Sequence, residues 1–119
     1  MATSVNTALL NANKALLLVQ ESIILVKLAL NNAPSSDDKI ALDELLTDLE
    51  TEEDRLEAKR DQIENGTLTI PPPDPALMAQ VGELTKKVEQ AKIDGAAAGA
   101  ALEVAGQALD MGSSILKLG

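Results

Sequence analysis

Apolar residues return at alternating steps of four and three through most of this chain. From Val5, the series Val5, Leu9, Ala12, Leu16, Val19, Ile23, Val26 and Leu30 keeps one side of a helix apolar for four heptads. Asn6, Asn13, Gln20 and Lys27, seven apart, mark the opposite side together with Thr7, Lys14 and Glu21. A first helix is therefore predicted over residues 4–32. Leu10, Leu17 and Ile24, and separately Leu18 and Leu25, add flanking apolar stripes, so one partner helix cannot cover this segment.

Asn31-Asn32-Ala33-Pro34 stops that helix, because proline disfavours helical geometry in the residue before it. Ser35, Ser36, Asp37 and Asp38 then supply N-cap candidates, and the two aspartates suit a positive helix start. The second helix, over 37–65, reads Leu42, Leu46, Leu49, Glu53, Leu56, Arg60 and Ile63 along its seam and closes on Asn65-Gly66, a left-handed C-cap. Thr67 to Ile70 followed by Pro71-Pro72-Pro73 forms a stiff linker over 67–74, and Asp74-Pro75 opens the next helix.

From Leu77 the seam continues as Leu77, Val81, Leu84, Val88, Ala91, Gly95, Ala98, Leu102, Ala105, Leu109, Gly112 and Leu116 without a phase slip. That favours one helix over 75–117, with a break at Asp94-Gly95 as the competing reading, because Asp-Gly is a good turn pair. At about 1.5 Å per residue the first two helices measure about 43 Å each and the third about 65 Å. The predicted fold is all-α: a single domain over 1–119, an elongated antiparallel coiled-coil-like bundle of three long helices, or of four if the break is real.

Gly95, Gly99 and Gly106 are the positions expected to let helix backbones approach closely. Past the end of its partners the third helix still carries apolar residues, so Val104, Ala108, Leu109, Met111, Ile115 and Leu118 form a candidate interface for a second copy or a partner protein. A break would instead fold residues 95–118 back onto helix one.

Charge narrows the reading further. Residues 37–64 hold twelve acids and four bases, which leaves that segment with −8 of the chain's −9. Glu50, Glu53, Asp54, Glu57 and Asp61 are read first as a solvated face with pairs such as Glu52 with Arg55 and Arg60 with Glu64. The sharper reading is a surface that steers a basic partner or imitates nucleic acid. Direct nucleic-acid binding is not expected without a basic patch or an aromatic to stack a base.

The chain has no Phe, Trp, Tyr, Cys or His. That inventory removes disulfides, thiolate and imidazole metal sites, Ser-His-Asp triads and Cys-His pairs. The remaining carboxylates lie mainly on one hydrophilic face, and neither a phosphate-cradling Gly loop nor a calcium-loop spacing occurs. No enzyme activity, metal or cofactor is expected. Asn65-Gly66-Thr67 matches a glycosylation sequon but reads as a helix cap.

The first lysine is Lys14, and Gln20, Glu21, Ser22 and Lys27 interrupt the apolar run of residues 15–30. The chain is therefore expected to be cytoplasmic, or exported without a classical signal peptide. The function expected is protein interaction or assembly, of the kind served by a secretion chaperone, an inhibitor or immunity protein, or a structural subunit. The rivals are a membrane-active protein opening residues 15–30 and 95–118 on a bilayer, disfavoured by net −9, and a nucleic-acid-mimicking inhibitor.

Overall fold

The computed structural model describes the backbone of residues 2–32, 35–66 and 75–116, and the side chains of residues 9–32, 35–66, 76 and 78–114. The predicted linker over 67–74 lies outside the described residues, as does Leu118; the side chains of Val5, Leu77, Ile115 and Leu116 lie outside them too. Among the described residues the chain forms four α-helices and no strand: α1 (Ala2–Asn31), α2 (Ser36–Glu64), α3 (Pro75–Ile93) and α4 (Ala98–Leu116).

The predicted third helix is two helices. Its break follows the competing Asp94-Gly95 reading: the Gly95 N–H donates to the Lys92 carbonyl at 3.2 Å and the Ala96 N–H to the Ala91 carbonyl at 2.9 Å, closing a Schellman cap with Gly95 at φ +102. Ala96 follows at φ +55, a left-handed conformation that costs an L-residue roughly 1–2 kcal/mol. What outweighs that cost is coverage. A straight rod would leave the second half uncovered, whereas the turn buries Ala101, Ala105 and Ala108 completely and packs Leu102, Val104, Leu109 and Met111 against the core, at about 0.8 kcal/mol per buried methylene.

The chain runs up, down, up, down. Ile63 near the end of α2 packs with Ala12 and Leu9 near the start of α1. The side-chain amide of Asn32, just past α1, donates to the Gly95 carbonyl at 2.7 Å and the Ala96 carbonyl at 3.3 Å. Gly112 near the end of α4 sits against Val19 of α1 and Leu56 of α2. Hence α2 and α4 are antiparallel to α1, and α3 is parallel to it. The central pair is α1 and α4, each touching both flanking helices; α2 and α3 do not touch among the described residues. The bundle measures 51 × 22 × 16 Å, and about 45 Å of its long axis is the length of α1 itself.

Packing follows side-chain size. Leu18, Val19, Leu25 and Val26 of α1, Leu42, Leu49 and Leu56 of α2, and Val81 and Val88 of α3 are fully enclosed, each leucine worth about 1.5–3 kcal/mol of burial. They meet the alanine face of α4, whose small side chains let its backbone come close. The innermost line of α4 is Ala101, Ala105, Ala108 and Gly112, so Leu102 and Leu109 of the predicted seam stand half-buried at its edges.

The seam of α2 also differs from the one predicted. Leu42, Leu49, Leu56 and Ile63 are buried, but the alternating positions that join them are Glu52 and Lys59, while Glu53 and Arg60 are only half-buried. The sequence could not decide between the two registers, because Leu45 and Leu46 serve either one equally. α2 begins as expected: Ser35 Oγ accepts from the Asp38 N–H at 3.3 Å, and Asp37 and Asp38 occupy the first turn. It ends at Asn65 and Gly66, the latter at φ +74.

Candidate functional site

α1 is buried over more than half its circumference, against α2, α3 and α4. Its remaining outer face carries Leu10, Leu17, Ile24 and Leu28, which stay 54%, 47%, 45% and 39% exposed. The first three repeat every seventh residue and Leu28 follows one turn later. Together they draw a stripe about 27 Å long down the outside of the bundle, opposite the core. A seven-residue apolar repeat is the periodicity that holds one helix against another. On most single helices of a bundle such a stripe faces inward; here the inward side is already complete without it.

Polar groups frame this stripe. On the side toward α3, Glu21 accepts a hydrogen bond from the Lys92 ammonium, which also contacts Glu89 at 2.9 Å. Burial alone would push the Lys92 pKa down, but the hydrogen bonds to Glu21 and Glu89 outweigh it and hold the ammonium above the ordinary lysine value. The hydrogen bond from Lys92 likewise holds the Glu89 carboxyl below the usual carboxylate range. This triad fixes α3 against α1 beside the stripe. Lys14 and Lys27 are exposed along its length.

On the other side stands α2. Glu52 Oε2 lies 3.8 Å from where a Gly112 Cβ would stand, so the Glu52 edge of α2 faces α4. Glu53 is turned 100° from Glu52 around the helix, and half-buried Glu53, Glu57 and Arg60 therefore lie on the opposite edge, toward α1. Glu50, Asp54 and Asp61 are exposed further round. The five acids singled out from the sequence thus form one continuous face of α2. Arg55 pairs with Glu52 Oε1 at 3.3 Å, as expected, while Arg60 pairs with its neighbour Asp61 at 3.4 Å instead of with Glu64.

Two charged groups were missed. Glu52 and Lys59 are buried on the α2 seam, and Glu52 Oε2 finds no hydrogen-bond partner among the described residues. Burial pushes the Lys59 ammonium below its ordinary value. Ser22, the buried polar residue of α1, is satisfied by donating to the Leu18 carbonyl at 2.7 Å.

The tail residues predicted as an interface are largely enclosed. Ala108 is fully buried; Val104, Leu109 and Met111 are partly buried against the core; Ile115 and Leu118 lie outside the described side chains. The reason is the turn at Gly95, which seats this segment on the rest of the chain. Val104 also lines an open groove of about 240 Å³ between α3 and α4, floored by Ala91, Ala97 and Ala100 and edged by Lys87, Gln90 and Asp94.

Close packing falls on a different glycine. An added Cβ would meet nothing within 4 Å at Gly95, Gly99 or Gly106, because these face outward or lie in the turn. At Gly112 it would stand 3.3 Å from Val19 Cγ2 and 3.8 Å from Leu56 Cδ1. Gly112 stands on the predicted seam, as Gly99 and Gly106 do not, and the fold-back places it under Val19 and Leu56.

The span Leu9–Asn31 is long and apolar enough to cross a membrane by length and composition, in spite of the polar residues that interrupt it, and 56% of its most apolar 18-residue window is buried inside the bundle. Among the described residues no group of three or more Asp or Glu side chains is arranged to hold a metal ion. No protein-family model matches this chain, and no curated protein or solved structure matches it either.

Proposed function

We propose that this chain is a non-enzymatic protein-interaction module whose outer α1 face receives an amphipathic helix of another protein. It would act in the cytoplasm, or after export by a route needing no classical signal peptide. The observation that carries the reading is the stripe of Leu10, Leu17, Ile24 and Leu28, left outside a core that is otherwise filled. A partner helix with apolar residues every seven positions fits it in a coiled-coil-like contact. Because the chain carries net −9, most of it on α2, a basic partner is favoured, and a second −9 copy on the same face is repelled. Such a module suits a secretion chaperone, an inhibitor or immunity protein, or a structural subunit.

The test is fluorescence anisotropy with a labelled synthetic helix of about 21 residues, leucine at its heptad core positions and lysine at its flanks. Binding to wild type is expected to weaken at least about tenfold with Leu17→Asp/Ile24→Asp and to weaken with added salt; a glutamate-flanked version should not bind. The two new aspartates increase attraction for lysine, so loss of binding isolates the apolar contact. Unchanged binding to the variant refutes the reading.

A second reading, membrane activity, draws on the length and hydropathy of Leu9–Asn31. Co-sedimentation with neutral vesicles, lost on the same two substitutions, would favour it. The acidic face supports a third, nucleic-acid mimicry, which requires that Gln at Glu50, Glu53, Asp54, Glu57 and Asp61 abolish partner binding.

A further inference from the structure

We propose that the turn at residues 94–97 is a hinge on which α3 and α4 straighten into one helix, and that two opened copies exchange α4 to form a domain-swapped dimer. Three observations meet there. The heptad phase of Val81, Leu84, Val88 and Ala91 runs on through Ala98, Leu102, Ala105 and Leu109 as though no turn existed. The turn itself is short and strained, with Ala96 held at φ +55 next to Gly95 at φ +102. And α4 is seated chiefly on α1 and α2, while toward α3 it leaves the open groove floored by Ala91, Ala97 and Ala100. A short hinge under strain, joining an element whose seat lies on other helices, is the arrangement that invites exchange.

In the closed chain the Asn32 amide clasps the hinge through the Gly95 and Ala96 carbonyls. On opening, residues 75–116 form a rod about 63 Å long. The α4 of each copy then fills the other copy's α1–α2 seat, reproducing the core contacts of Ala101, Ala105 and Ala108 and giving up those of Ala96 in the hinge. The exchange is isologous and stops at two copies. It leaves the outer α1 stripe unchanged, so it stands or falls separately from helix binding there. Salt separates the two as well: screening favours union of two −9 chains and weakens capture of a basic helix.

The chain has no cysteine, so Lys86→Cys/Asp110→Cys, both at exposed sites, accepts one spin label on each side of the hinge. Labelled chains diluted into unlabelled ones report only distances within a chain. Closed, the labels lie below about 20 Å apart, on neighbouring helices about 8–10 Å between axes; opened, they are about 36 Å apart. Gly95→Ala introduces no clash, since nothing lies within 4 Å of its Cβ, but it strains the left-handed turn. It is expected to tighten dimerisation by at least about thirtyfold, because each dimer relieves two strained turns, with the long distance appearing as the dimer forms in light scattering. Ala96→Gly should shift the balance back to monomer. A Gly95→Ala chain that stays monomeric at every concentration, or a dimer that keeps the short distance, overturns the proposal. If Gly95→Ala loses helicity, Asn32→Ala removes the clasp without touching the turn and carries the same two outcomes.

Discussion

Glu52 gives the sharpest test of how the core is organised. The residue is 5% exposed, and Oε2 lies 3.8 Å from where a Gly112 Cβ would stand, without a hydrogen bond from the described residues. A buried polar atom left unpaired costs about 1–3 kcal/mol, more when charged. What Glu52 receives in return is one contact at 3.3 Å from Arg55, whose side chain is 65% exposed, and such a pair contributes at most about 1 kcal/mol. Methionine matches glutamate in length and carries no group that needs a partner. Glu52→Met is therefore expected to stabilise the fold by about 1–2 kcal/mol, consistent with the gain seen when buried ionic groups give way to apolar ones. For a chain of this size that is roughly 4–8 °C in Tm, readable by circular dichroism, with urea denaturation confirming an unchanged slope. Glu52→Gln should gain less, because its amide still needs partners. A Glu52→Met chain that melts lower than wild type would refute the reasoning and mean that Oε2 is paired.

Gly106→Ala is expected to stabilise by about 0.5–1 kcal/mol, since helix propensity favours alanine and nothing lies within 4 Å of its Cβ. Gly112→Ala should forfeit that gain because Val19 Cγ2 stands at 3.3 Å, so equal melting temperatures for the two variants would contradict the packing described. Leu18→Ala and Leu25→Ala should each cost about 2–5 kcal/mol in denaturant titrations, whereas Leu17→Asp should cost under about 1 kcal/mol because its side chain already meets water; reversed magnitudes would mean that α1 is turned the other way. Lys92 binds its proton more tightly folded than unfolded, so the ion triad contributes fully below the ordinary lysine value of 10.5 and is lost as pH rises through the higher folded value. The stability difference between wild type and Lys92→Met should accordingly be flat from about pH 6 to 10 and shrink above that; a difference that grows with pH would show the opposite sign of coupling.

The helical class, the stop at Asn31 to Pro34 and the caps at Ser35 and Gly66 were legible because each is a local matter of period, proline and left-handed glycine. The fold-back was not. The apolar phase is indifferent to the turn, and the local signal of Asp94-Gly95 wins only because α1 and α2 offer α4 a seat, a fact of tertiary structure. The same turn moved the candidate surface. Residues 104–111 read as excess apolar material on a protruding rod, but they complete a core, and the excess lies instead on Leu10, Leu17, Ile24 and Leu28. Leu10, Leu17 and Ile24 were visible as a flanking stripe of the first helix, and Leu28 was not; which stripe would face out depended on how many helices arrive and from which sides. The acidic character of α2 was plain from composition, but the inward turn of Glu52 and Lys59 depended on a register that the Leu45-Leu46 pair leaves undecided.

On the proposed function, the outer face of α1 is where this protein meets its partner. The most direct test places a photo-crosslinking residue at Leu17, Ile24 or Asp54, one at a time, in cells that make the protein. Positions 17 and 24 are expected to capture the same protein through a basic amphipathic helix, with Asp54 on the outer α2 face capturing little of it. Strong capture at Asp54 with none at 17 or 24 would contradict it.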